Sequence, residues 1–395
     1  MTFADPSQAT PANAAAKPIA ASAAPARVRD LRLDFFRGIA MFIILMAHTP
    51  GNFLTSWIPA GWGFSDATEI FVFCSGMASA IAFGRGYDVA GWRLASAHVG
   101  LFFATLALTV ALTNSGLGTR NYWGQLNLWP LFVESDKWTN PDILLSFMTL
   151  RYVPNYFDIL PMYMIVLLLM PIIMALANVN KWLVGAFIAT VWFFAQRKIM
   201  DSLGLSHLYI GFPAEPWTER PWFFNPFSWQ LIFFTGFAFM RGWLPKPPVS
   251  KTLILFATFL VIANIPLSNI GVREFGFEWA RDVRAVIKPL IDKSSFGILR
   301  YVHFLALAYL CWVAAGDKGD KLLPLGDGTL ARVWEKCLAI ILKVGQQSLA
   351  VFVVSMFTAR LMGFVMDITG RATLTVLLVN LASAYILVAT AYGAG

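Results

Sequence analysis

Residues 32–52 read RLDFFRGIAMFIILMAHTPGN. From Gly38 to Ala47 no side chain is charged, yet Arg37 stands at one end of that run and His48 at the other. Eleven residues at about 100° each make three turns and a small remainder, so both side chains lie on one helix face, separated by about 16 Å of rise. Hydrophobicity does not explain this pair. The stretch is apolar enough to start a membrane helix, and charged groups in such helices cost free energy unless they face a bundle interior or a wet cavity. The reading places Arg37 near a membrane surface and His48 deep.

The rest of the chain calls for the same solvent. Apolar residues make up 58% and charged residues 13%, against roughly 45–50% and about 25% in a soluble domain. Fifteen Trp and thirty-four Phe suit helices that end in interfacial aromatic belts. The net charge of +8 comes from Lys and Arg in short runs between apolar stretches, which is a topology signal and not the basic stripe of a nucleic-acid binder. Cys74, Cys311 and Cys337 have no paired spacing, so neither a disulfide framework nor a metal site is expected. Residues 1–28, rich in Ala, Pro and Ser, are expected to be a disordered tail and not a signal peptide, because the basic cluster follows the tail. Residues 29–395 are expected to form one transmembrane domain.

A span needs roughly 20 predominantly apolar residues. That ruler picks out ten candidates, near 35–57, 66–84, 95–114, 157–177, 181–197, 226–242, 252–269, 297–315, 344–362 and 373–391. The expected fold is therefore an all-α, polytopic bundle of about ten transmembrane helices. Three longer connections, 115–156, 198–225 and 270–296, then share one side. Arg27, Arg29 and Arg32 precede the first span, Arg85 and Arg93 follow the second, and Arg241, Lys246 and Lys251 follow the sixth. The positive-inside rule accordingly puts both termini in the cytoplasm and the long connections outside, despite Arg273, Arg281, Arg284, Lys288 and Lys293 in the last of them. No internal repeat is visible, which weakens a transporter reading.

Several polar residues stand out against this apolar background. His48 is either a buried histidine bonded to a neighbouring helix or a proton-transfer group, since imidazole titrates near neutrality. Arg37 either marks the cytoplasmic boundary or holds a ligand entering from that side, and Asp34 reads as a helix N-cap. In SDATEIFVFCSGMASAIAFGRG, residues 65–86, Glu69 lies at a depth similar to His48 and is either its preferred carboxylate partner or a wetted interfacial acid. Ser75 and Gly76 there, and Gly236 later, suit close helix packing; a nucleophile at Ser75 is the weaker reading, since no second motif supports it. Arg85 fits a helix C-terminus or a phosphate. Asp158, in PNYFDILPMY at 154–163, is a cap or a site residue. Arg300 and His303, three residues apart, share a face, and Gln346, Gln347 and Ser348 open a span. No phosphate-loop, dinucleotide or metal motif is visible.

Together these segments resemble the acyltransferase-3 superfamily, and most closely its OpgC branch, the succinyltransferases of osmoregulated periplasmic glucans. Arg37 and His48 match the Arg-x10-His pattern; Glu69, Phe71, Phe73, Ser75 and Gly76 match the second motif; YFDILPMY, RYVHFLALA and GQQSL resemble the branch. The chain departs from the superfamily where EIFVFCSG replaces an Asp-x-Phe-Phe-Val core. The resemblance implies a bacterial inner-membrane enzyme that moves an acyl group from cytoplasmic coenzyme A to a sugar hydroxyl outside. No cofactor would be bound permanently, and succinyl-CoA would be the co-substrate. It implies His48 as general base or transient acyl carrier; Glu69 is set beside it on depth alone. Arg37, Arg85 and Ser348 would hold the donor, and Arg300, His303 and Asp158 the acyl group or acceptor. Trp123, Trp129, Trp217, Trp222, Arg281 and Lys288 are candidates for sugar contact or membrane anchoring. The partners expected are membrane lipid, acyl-CoA and periplasmic glucan, with a homodimer left open. An envelope O-acetyltransferase and an anion or glucan transporter are the alternatives.

Overall fold

The computed structural model describes residues 30–84, 88–117 and 139–395. Regular structure among them is helical; extended pairing is limited to one isolated bridge, Pro213 with Pro221. The principal helices are α1 (Leu31–His48), α2 (Ala67–Phe83), α3 (Val89–Leu117), α4 (Ile159–Val179), α5 (Lys181–Phe194), α6 (Pro226–Met240), α7 (Lys251–Ala263), α8 (Ile298–Ala315), α9 (Thr329–Gln346), α10 (Ser348–Thr369) and α11 (Thr373–Gly393). Five stretches are long and apolar enough to cross a membrane: residues 89–111 of α3, and the whole of α4, α8, α10 and α11. Four more, α2, α5, α6 and α7, are apolar but shorter.

All ten segments picked out by the ruler contain a helix, but several boundaries differ. α1 stops at His48 and not at 57, because Pro50 lacks an N–H and Gly51 turns the chain with φ +70°. Half-buried His48 therefore sits at the end of its helix, not deep within a span. The N-cap of α1 is Asp30, whose carboxylate accepts from Arg32 N at 3.1 Å; Asp34 lies buried inside the first turn. α10 begins at Ser348, and the residues before it form a helix that the ruler did not detect. That helix, α9, carries Arg332, Glu335, Lys336 and Lys343. It packs across the start of α1, where Gly38 lies against Ile341 O and Gly345 against Asp34 O, neither with room for a Cβ.

The tightest packing joins α2 to α6. Gly76 rests on Phe233 O and Gly236 on Phe73 O, each glycine facing the other helix's backbone. Small residues permit such close approach where no solvent drives helices together. Around this contact, fully buried Phe233, Phe234, Phe237 and Trp229 fill the centre.

The bundle has two ends. At one, Lys343 Nζ donates to Gly395 O at 2.7 Å and Arg32 Nη1 to Gly316 O at 3.0 Å, so Asp30 and the C-terminus share a face. At the other, the described parts of the three long connections interlock. Val153 N donates to Ala214 O at 2.7 Å, and Asn225 N to Ser294 O at 3.3 Å. The tail at residues 1–28 lies outside the described residues.

Candidate functional site

His48 is held by its own helix. Its Nδ1 lies 2.8 Å from Ile44 O, one turn earlier. A carbonyl only accepts, so Nδ1 carries the proton and Nε2 keeps its lone pair. The Tyr156 ring and the imidazole meet in a T-shaped contact, 5.1 Å between centroids with the planes 78° apart. Tyr156 has φ +82°, a left-handed backbone that costs a non-glycine residue on the order of 1 kcal/mol or more. Its hydroxyl donates to Met356 O at 2.9 Å, and the Arg360 guanidinium lies 3.9 Å above its ring. Two contacts with α10 thus hold Tyr156 in that conformation, against His48.

At the other end of the same helix, the Arg37 guanidinium donates to Ser348 Oγ, across 311 positions of sequence. Arg37 forms no ion pair among the described residues, and its buried Nε has no hydrogen-bond partner among them. Two residues read separately as donor contacts are thereby brought together. Arg85, the third, lies outside the described residues, as do Trp123 and Trp129.

Glu69 does not meet His48. Fully buried, it accepts from Arg300 Nε at 2.8 Å and Nη2 at 2.5 Å. The sequence suggested this carboxylate for the histidine of α1, but the fold gives it to the arginine of α8. Glu69 Oε2 also accepts from Asp66 N at 2.7 Å, closing a capping box at the start of α2. Asp66 in turn binds Lys293 Nζ at 2.6 Å and lies 3.6 Å from Arg300. Burial alone would raise the Asp66 carboxyl, but Lys293 and Arg300 override it and hold the group well below the usual carboxylate range.

His303, one turn past Arg300, turns Nδ1 to Ser65, whose Oγ is 2.7 Å away and whose N–H donates at 3.3 Å. Asp158 is buried and leaves the end of α4 without a side-chain cap; its carboxylate accepts from Phe223 N at 3.2 Å instead. Trp222 is buried, with its indole N–H donating to Pro213 O at 3.0 Å, so it offers no face to a sugar. Trp217 is half-buried, and Arg281 and Lys288 are exposed.

Tyr156, Arg360 and Ser65 are not among the sequence candidates, and Lys293 is there only as a charge of the last long connection. Arg360 was legible by the rule that flagged Arg37, because it is a lone cation in the apolar helix SLAVFVVSMFTARLMGF. Tyr156 was not, since its role depends on a backbone conformation and on a partner 200 positions away.

A family model described as OpgC protein matches residues 29–395. The chain belongs to the OpgC family. Membership implies an acyltransferase-type activity in glucan modification. No curated protein and no solved structure matched the chain.

Proposed function

We propose that this OpgC-family protein transfers a succinyl group from cytoplasmic succinyl-CoA to hydroxyls of a periplasmic glucan, from within the bacterial inner membrane. Ten helices, all but α9, cross the bilayer in this reading. Both termini are cytoplasmic, the interlocked connections are outside, and amphipathic α9 lies along the inner face. Lys and Arg beside the inner helix ends support the orientation.

The observation that carries the reading is the fixed tautomer of His48. With Nδ1–H committed to Ile44 O, Nε2 can act in either of two ways. As a base, it takes the proton of the sugar hydroxyl while the sugar oxygen forms a bond to the thioester carbonyl and the thiolate leaves. As a carrier, Nε2 itself bonds to that carbonyl and the thiolate leaves; the sugar oxygen then displaces the imidazole, whose freed Nε2 takes the hydroxyl proton. Arg37, with no carboxylate partner and Ser348 beside it, holds a phosphate of the donor. Arg300 and His303 serve the acyl end, with Glu69 keeping Arg300 in place. Asp158, two residues from Tyr156, belongs to the acceptor side.

Mass analysis of glucans from cells carrying the wild-type gene, no gene, or His48→Ala tests donor, acceptor and reaction together. Wild type should add the succinyl mass and one negative charge per group, and His48→Ala should remove the addition while the protein still accumulates in membranes. An acetyl mass would replace the donor in this reading. Unchanged succinyl content in His48→Ala would sink the role of His48.

A further inference from the structure

A cavity of about 150 Å³ opens between the connection that follows α1 and the one that precedes α8, bordered by Gly63, Phe64, Asp66, Asn269, Arg284, Lys293 and Arg300. Its charges do not balance. Arg284, Lys293 and Arg300 surround it, whereas the carboxylates bonded to these cations are Asp66 and, behind it, Glu69. Arg284 forms no ion pair among the described residues, and its hydrogen bonds go to neutral acceptors, Leu267 O at 2.5 Å and Asn269 Oδ1 at 3.0 Å. Asp292, the next acid along the chain, is turned to Lys198 at 3.8 Å and to Ser295 N at 2.8 Å. Burial, and after it the neighbouring Arg300 charge, lower the pKa of Arg284; a cation repelled by its surroundings favours an anion beside it.

A second observation is independent of charge. His303 is 4% exposed, and its Nε2 has no hydrogen-bond partner among the described residues. Because the Ser65 N–H donates to Nδ1, Nδ1 is the acceptor and Nε2 carries the proton. The imidazole lies directly behind the cavity wall at Gly63, where an added Cβ would collide with Nε2 and Cε1. A buried donor left unmade costs about 1–3 kcal/mol, and an oxygen in the cavity would satisfy it.

Resting on the acyltransferase reading above, we infer that this cavity is a carboxylate site, formed by Arg284, Lys293, Arg300 and the Nε2–H of His303. One carboxylate neutralises the surplus cation and accepts from the orphaned donor. The volume corresponds to about five waters at roughly 30 Å³ each, enough for a carboxylate with two or three carbons behind it. The carboxylate belongs either to the succinyl group in transit or to an acidic substituent already on the glucan.

Binding is tested without turnover, on the purified full-length protein in detergent, by titrating succinate against neutral succinamide and following melting temperature and calorimetric heat. Succinate should bind and stabilise, and succinamide should not. Arg284→Gln and His303→Phe should each weaken succinate at least tenfold, whereas Lys336→Gln, exposed on α9 and remote from the cavity, should not. Arg284 lies in a half-buried connection, so its variant tests the site even if His303→Phe folds poorly. No succinate binding by wild type, or equal binding in Arg284→Gln, overturns the inference, whatever His48→Ala does to transfer. Transfer assays separate the sources. If Arg284→Gln slows succinyl-CoA but not acetyl-CoA on a neutral glucan, the carboxylate is the donor's. If it slows both donors, but only on a glucan already bearing acidic groups, the carboxylate is the acceptor's. A variant that loses succinate binding and shows neither pattern overturns the assignment to a substrate.

Discussion

Arg37 and Arg300 are both drawn into the helical bundle, and their surroundings are opposite. Arg300, 8% exposed, is gripped by fully buried Glu69 and approached by Asp66, which Lys293 shares. Arg37 has a serine hydroxyl and no carboxylate within ion-pair distance among the described residues. A buried charge paired on all sides holds elements in place, here joining α2 to α8 and to the connection before it. A charge whose valence the protein leaves unmet is stable only if water or a ligand meets it. The first arrangement reads as architecture that also shapes a site, the second as a site.

The largest effect expected from this contrast is on stability. Arg300→Met leaves Glu69 buried without its cation and should cost about 3–5 kcal/mol, seen as a steep fall in melting temperature and membrane yield. Adding Glu69→Gln to Arg300→Met should restore much of that loss. If the double variant is no better than the single, the pair is not the anchor described here. Next, Arg37→Ala should leave the melting temperature nearly unchanged while raising KM for the acyl-CoA donor about tenfold, corresponding to about 1.4 kcal/mol of lost binding. Arg37→Lys should recover part of it. A large drop in stability with an unchanged KM would move Arg37 into the class of Arg300. The smallest effect belongs to Ser348→Ala, where losing one neutral partner of the guanidinium should change that KM about two- to fivefold, or about 0.5–1 kcal/mol.

Much of the helical plan was legible because a bilayer-spanning helix announces itself by length and apolar content alone. Each of the ten apolar segments contains a helix, and the glycines flagged for packing, Gly76 and Gly236, meet opposing backbone in the α2–α6 contact. Helix α9 was not legible by that ruler, which counts apolar residues in a row. Leu330, Val333, Leu338, Ile341 and Val344 recur among the charges of α9 with a helical period, a pattern that a hydropathy window averages away. Its place against α1 rests on Gly38 and Gly345, and neither glycine differs in sequence from any other.

The candidate site divides in the same way. Arg37, His48, Glu69, Arg300 and His303 were each conspicuous as polar groups in apolar surroundings, and that cost of burial can be read from one segment at a time. Which of them meet could not be read, because depth along separate helices does not specify azimuth or neighbour. Depth alone offered Glu69 to His48; packing gave it to Arg300, across 231 positions. The sequence by itself determined a membrane-class helical chain and named most of the groups costly enough to need a reason. Only the tertiary structure decided their partners. Ion pairs and hydrogen bonds act over a few ångströms, and the distances between helices are set by side chains and glycines far from the groups they bring together.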